Sequence, residues 1–179
     1  MSASGVAWNE QRGEEGLSLL DDPLLGGGLP PAAQVHLDKA AASYHLSDIA
    51  ETHLLDASRI APGHAAVLIA FYRFYFYKGR LVDALDVARE CLAKALADNV
   101  LGDDWREVEP GDADFSDWGA LRLRFFLFTL KGYAYLNLRL GHMAEGRRAA
   151  EKLLDLDSAD RIGARVLIDV LDRMEDDDE

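Results

Sequence analysis

Small residues recur at a fixed separation in the first half of this chain. Ala50 and Ala84 are 34 residues apart, and so are Ala57 and Cys91. A period of about 20–50 residues is typical of stacked structural repeats, because one such unit cannot bury its apolar face alone. This spacing limits the possible folds more than any other feature, and it favours an array of helix pairs.

The composition also favours helices, since Ala and Leu dominate and Pro totals only 5 among 179 residues. Apolar residues recur every three or four positions from Ala32 onward. Pro62, Gly79 and Gly141 punctuate the pattern. The sequence therefore predicts seven helices, near residues 32–45, 48–61, 64–78, 81–97, 117–139, 143–156 and 159–174.

The net charge of −13 is unevenly distributed. Acidic residues are concentrated in three parts of the chain, which are residues 1–30, 98–116 and 175–179. We interpret these as a flexible N-terminal segment, a loop within a helical domain at 31–174, and a C-terminal tail. Negative charge of this size disfavours nucleic acid as a partner.

Cellular location is indicated by the lone cysteine and by the apolar stretches. Cys91 excludes an internal disulfide, which fits a reducing cytoplasm. No secretory signal is evident. Residues 64–77 are too few to span a bilayer, and residues 121–140 contain four basic side chains. We therefore expect a cytoplasmic protein without a membrane partner.

No catalytic, cofactor or metal site is predicted. None of the five histidines (His36, His45, His53, His64, His142) pairs with another at i, i+4, so we expect solvent-facing or capping roles. Cys91 should be a buried, inert thiol. The acidic loop lacks the order of oxygen ligands and glycine that calcium requires. Trp105, Phe115 and Trp118 indicate instead that this loop packs on the helices.

Two segments place a glycine between helices in similar surroundings, Tyr77 to Leu85 and Leu138 to Gly146. Both resemble the central turn of tetratricopeptide (TPR) repeats, and Ala50 to Pro62 resembles a second helix of that family with its terminal proline. The resemblance covers about residues 31–158, and 159–174 is similar to the family's capping helix. It implies an all-α fold, a short right-handed α-solenoid of about three helix pairs plus a C-terminal capping helix. A compact bundle of six or seven helices is the alternative.

The helix from His64 to Lys78 has almost no polar face. In TPR-like arrays the first helix of each pair lines a concave groove, so the resemblance implies a partner-binding surface there. By register its residues are Lys39, Ser43, Ile69, Arg73, Phe76, Lys131, Tyr135 and Leu138. Such a groove suits an extended or helical peptide with apolar anchors and a carboxylate. The acidic loop or N-terminal leucines are the alternative occupants.

The family's clamp for a C-terminal carboxylate requires lysines and asparagines, where this chain has Val35, Ala70 and Phe128. That specificity is therefore not implied. In length and acidity the chain is similar to small TPR chaperones of type III secretion. Residues 71–80 and 125–141 also look like small TPR-like proteins encoded among bacterial nitrogen-fixation genes.

These patterns together predict a non-enzymatic module that binds a peptide or helix of a partner protein, as an adaptor or assembly chaperone. The alternative is a structural protein whose aromatic surface is buried in a homo-oligomer. A helical hydrolase is the third possibility, but no His, Cys or carboxylate constellation supports it.

Overall fold

A computed structural model describes residues 27–177, with side chains through residue 173. This part of the chain contains seven α-helices and no β-strand. They are α1 Pro31–Ala42, α2 Ser47–Ile60, α3 Ala65–Tyr77, α4 Leu81–Asn99, α5 Leu121–Arg139, α6 Met143–Leu156 and α7 Arg165–Asp177. The all-α prediction is confirmed. The predicted segment at 1–30 lies almost entirely outside the described residues, as do the side chains of the predicted tail.

The predicted and observed helices differ most at the starts of α5 and α7. α5 begins at 121 and not at 117, because the Asp117 carboxylate accepts the Gly119 N–H at 2.9 Å and holds a turn. α7 begins at 165 and not at 159. There the Asp160 carboxylate accepts the Ala164 N–H at 2.6 Å, and Gly163 adopts a φ of 74°. In both places a side chain offers the backbone a competing hydrogen bond.

The predicted glycine breaks have the same backbone geometry. Gly79 ends α3 with a φ of 72°, and Gly141 ends α5 with a φ of 83°. After each glycine, the next N–H donates to a carbonyl five residues earlier, from Arg80 to Tyr75 at 2.9 Å and from His142 to Asn137 at 2.8 Å. This is a Schellman termination, which favours glycine because φ is positive. The turns α3–α4 and α5–α6 are therefore equivalent.

Helix packing is closest between neighbours in the sequence, and α1–α2, α3–α4, α4–α5 and α5–α6 have the largest interfaces. The small residues at the 34-residue separation lie in these interfaces. Ala50, Ala57 and Ala84 are fully buried, and Cys91 is nearly so. Small side chains at these positions let the helix backbones approach closely. Their burial confirms that the repeated positions serve packing.

The core is centred on α5. Four of the largest fully buried side chains of the core come from α5: Phe126, Leu127, Leu130 and Leu136. They belong to one cluster with Leu85 of α4 and Leu153 of α6. α5 is in contact with α4 on one side and α6 on the other. It is therefore the central element for any surface that the helices form together.

The acidic loop between α4 and α5 is anchored to the helices, as its aromatic residues predicted. Trp105, Val108 and Phe115 are buried. The Trp105 ring meets Tyr133 edge-on at 5.9 Å, and Phe115 lies 6.3 Å from Phe126. Polar contacts add to this, as when Lys152 of α6 donates to the Val108 carbonyl at 2.9 Å. The loop is thus part of the domain, with its carboxylates mostly at the surface.

Candidate partner-binding surface

Aromatic side chains from α3 and α5 meet on one surface. The Phe76 ring lies 5.9 Å from the Tyr135 ring across the two helices, and 5.9 Å from the stacked Tyr72 ring on its own helix. All three side chains are half-buried. They present ring area to solvent while each is held by its neighbours.

Gly132 lets the Tyr72 side chain of α3 reach the backbone of α5. A Cβ built at position 132 would lie 2.7 Å from the Tyr72 hydroxyl oxygen, which is too close for two unbonded atoms. The hydroxyl therefore rests directly on the α5 backbone. Burial raises the pKa of Tyr72 well above its ordinary value of 10. A glycine inside an amphipathic helix is the sequence signal for this close contact.

The aromatic surface continues along α5 towards the acidic loop. Phe128 and Tyr135 are seven residues apart and share one face of the helix. Trp118, at the end of the loop, meets Phe128 edge-on at 6.3 Å. We call the half-buried residues Tyr72, Phe76, Trp118, Phe128 and Tyr135 the aromatic strip.

Cationic groups border both ends of the aromatic strip. Arg124 and Arg161 lie over the Trp118 ring at 5.8 and 5.7 Å. At the other end, Arg139 donates to the Tyr135 hydroxyl at 2.6 Å. Arginines stacked on aromatic faces retain donor groups for a carboxylate. The strip thus carries aromatic rings along its length and arginines at its ends, and Lys131 lies on the same face of α5 between Phe128 and Tyr135.

The eight residues predicted for the surface have different environments. Phe76 and Tyr135 are brought together, and Arg73 is half-buried three residues before Phe76. Lys131 is half-buried, and its ammonium group donates to the Ile162 carbonyl at 2.7 Å, so it holds the segment before α7. Lys39 and Ser43 lie at the end of α1, in the first helix pair.

Of the two remaining residues, Ile69 is buried and Leu138 is half-buried. Ile69 is only 4% exposed and belongs to the core. Leu138 packs on Gly146 of α6, where a Cβ would collide with its side chain. Helical register predicts which face of its helix each side chain occupies. How deeply the side chain is buried depends on the neighbouring helix. Tyr72, Phe128 and Trp118 take their place in the strip.

A separate polar cluster joins the second, third and fourth helices. Glu51 of α2 accepts hydrogen bonds from Arg80 at 2.6 Å and from the Tyr75 hydroxyl at 2.8 Å. The hydrogen bond from Arg80 holds the pKa of Glu51 below its ordinary value. Burial, with the bond to Glu51, raises the pKa of Tyr75 to about 12. These contacts fix α2 against α3 and the start of α4.

The histidines have more varied environments than predicted. His64 caps α3 by accepting the Ala66 N–H at 3.2 Å, which confirms a capping role. His36 and His53 instead meet between α1 and α2, with their Nδ1 atoms 3.3 Å apart and Asp56 beside them. A search of the sequence for histidines four residues apart on one helix does not find this group, because its members come from two helices.

Comparison with known proteins shows that the chain is similar to a protein from a nitrogen-fixing bacterium's nif region. It is described as an uncharacterised 19.8 kDa protein in the nifW 5′ region of Azotobacter chroococcum, and it is 38% identical over 143 residues. The match covers 79% of this chain and 80% of the relative. No family model matches the chain, and no solved structure does. Among residues 27–177, no helix is both long and apolar enough to cross a membrane.

Proposed function

The chain belongs to the family of this 19.8 kDa protein of the nifW 5′ region, and from that premise we propose that it is an assembly factor for nitrogen fixation. It acts without catalysis, in the bacterial cytoplasm, by holding a peptide or helix of a partner protein. The observation that carries this proposal is the aromatic strip, whose cationic ends would orient a bound segment.

The proposed architecture is a short right-handed solenoid of three TPR-like pairs, α1–α2, α3–α4 and α5–α6, with α7 as the capping helix. The equivalent Schellman turns at Gly79 and Gly141 support it, since they join the helices of the second and third pairs. The contact of Phe76 with Tyr135 supports it as well, because first helices of successive pairs lie side by side in such arrays. In this architecture the strip lies in the groove.

The chemistry of the strip indicates the kind of segment that it binds. Half-buried rings offer apolar area at little entropic cost, which suits side chains such as Leu, Met or Phe on the partner. Arg73 lies near Phe76 in the helix, and Arg139 lies at Tyr135. A carboxylate on the partner would find a bidentate donor at either position. The partner segment is therefore an apolar stretch with an acidic residue close by.

Affinity purification from Azotobacter chroococcum grown with dinitrogen or with ammonium tests the proposal. The wild-type chain should capture a defined partner from the dinitrogen-grown cells. Phe76→Ala and Arg73→Glu should each weaken this capture at least tenfold, equivalent to about 1.4 kcal/mol. Val82→Ala is the matched control, because Val82 is 62% exposed on α4. Equal capture by all variants would contradict the assignment of the strip.

A second candidate is a structural role in a homo-oligomer, with an apolar surface buried between copies. It is favoured by a group of exposed apolar side chains on α1, α2 and the turn between them, Val35, Tyr44, Leu46, Ile49, Leu55 and Ile60. Light scattering at increasing concentration decides the matter, since a monomer throughout would exclude this candidate.

A further inference from the structure

We infer that His36, His53 and Asp56 form a three-ligand site for a divalent transition-metal ion of the Zn²⁺ type. The site lies between α1 and α2, in the first helix pair. Imidazole nitrogen and carboxylate oxygen are ligands that Zn²⁺ accepts, whereas Mg²⁺ and Ca²⁺ prefer oxygen alone. The inference concerns the first helix pair alone and does not depend on the aromatic strip.

The distance between the two imidazole nitrogens matches a tetrahedral centre. Two nitrogens bonded to zinc at about 2.0–2.1 Å, with a tetrahedral angle between them, lie about 3.3–3.4 Å apart. The Nδ1 atoms of His36 and His53 are 3.3 Å apart. The Asp56 Oδ2 atom lies 3.8 Å from His36 Nδ1, and one ligand atom of each residue lies within 4.8 Å of the others. The Asp56 carboxylate must move closer to both imidazoles for one ion to bond to all three groups.

Local structure positions the three side chains. His53 and Asp56 are three residues apart on α2, so they share one face, and His36 meets them from α1. Arg59 donates to the other oxygen of Asp56, Oδ1, at 2.5 Å. This leaves Oδ2 directed towards His36. Hydrogen bonds from outer residues commonly orient metal ligands in this way. All three side chains are half-buried, so an ion can reach the site from solvent.

A hydrogen bond between the two imidazoles is the simpler explanation for their contact. It accounts for the distance of 3.3 Å between the nitrogens, but it does not require a carboxylate beside them. A bound metal ion would account for the positions of both imidazoles and of the carboxylate. Two nitrogens and one oxygen leave a fourth position of a tetrahedral ion open for water or for a ligand from a partner protein.

The test is calorimetric titration of the full chain, freed of metal by dialysis against a chelator, with ZnCl₂. One equivalent should bind. His36→Gln and His53→Gln should each weaken binding on the order of 100-fold, and Asp56→Asn at least tenfold. His45→Gln is the matched control, because His45 is an exposed histidine in the same helix pair and lies outside the site.

Two further measurements separate loss of the site from loss of the fold. Circular dichroism should show equal helix content for all variants without metal. Zn²⁺ at about 100 times the wild-type Kd should raise the Tm of the wild type by about 5–10 °C and that of the His53→Gln variant by only about 1–2 °C. Co²⁺ should give the visible absorption of a four-coordinate ion in the wild type and the His45→Gln control, and not in the His36→Gln and His53→Gln variants. Zn²⁺ binding of the wild type that is no tighter than that of the His36→Gln and His53→Gln variants would overturn the inference.

Discussion

The contact between Leu138 and Gly146 gives the sharpest prediction about the packing of α5 on α6. Gly146→Ala adds a single methyl group inside α6, at the point where this helix meets Leu138 of α5. By helix propensity alone, the change should stabilise the protein by about 0.8–1.0 kcal/mol. We expect the opposite, because the space that a Cβ needs is occupied.

The magnitude follows from the geometry at this position. A Cβ on Gly146 would lie 2.6 Å from Leu138 Cγ and 3.1 Å from the carbonyl oxygen of Ala134. The Leu138 side chain must move, and the backbone oxygen can move only with α5. Overpacking of this kind costs about 1–3 kcal/mol. After the gain in propensity, Gly146→Ala should lower the free energy of unfolding by up to about 2 kcal/mol.

A double-mutant cycle with Leu138→Ala isolates the collision. Once Leu138 is truncated, Gly146→Ala should stabilise the protein by about 1 kcal/mol, so the coupling energy is about 1–3 kcal/mol. Urea unfolding followed by circular dichroism measures all four variants. If the two substitutions are additive, or if Gly146→Ala alone is stabilising, then α5 and α6 do not approach as closely as described.

Three further predictions concern the loop, the polar cluster and the thiol. Trp105→Ala should destabilise the protein by about 3–5 kcal/mol in urea unfolding, because Trp105 is buried on Tyr133; a change below about 1 kcal/mol would mean that the loop is not anchored. The lowered pKa of Glu51 gives stability that is present above pH 4.5 and lost as the pH falls through the folded value. The difference in stability between wild type and Glu51→Gln should therefore shrink below pH 4.5, and a difference independent of pH would contradict this. Cys91 is buried, and burial raises its pKa to about 12, so it should react with a thiol reagent at pH 8 only after urea unfolding; rapid reaction in the native state would refute its burial.

The candidate site could be predicted only in part. Phe76 and Tyr135 were found by register, since helical periodicity states which helix face each residue occupies. Register does not state how close the next helix lies. The packing of neighbouring helices buries Ile69 in the core and brings the Tyr72 hydroxyl against Gly132. The histidine and aspartate group was missed for a similar reason, because His36 and His53 are 17 residues apart and meet only when α1 folds back on α2.

The sequence by itself determined the helices and the positions where they pack. Periodicity and glycine turns act within a few residues, so they are encoded locally, and the small residues repeated after 34 positions mark where the helices pack. The tertiary structure alone decided which side chains are exposed, how the acidic loop is anchored and which polar groups meet across helices. These properties depend on distances between segments remote in the sequence, and such distances are set by the summed packing of all helices on α5 and its neighbours.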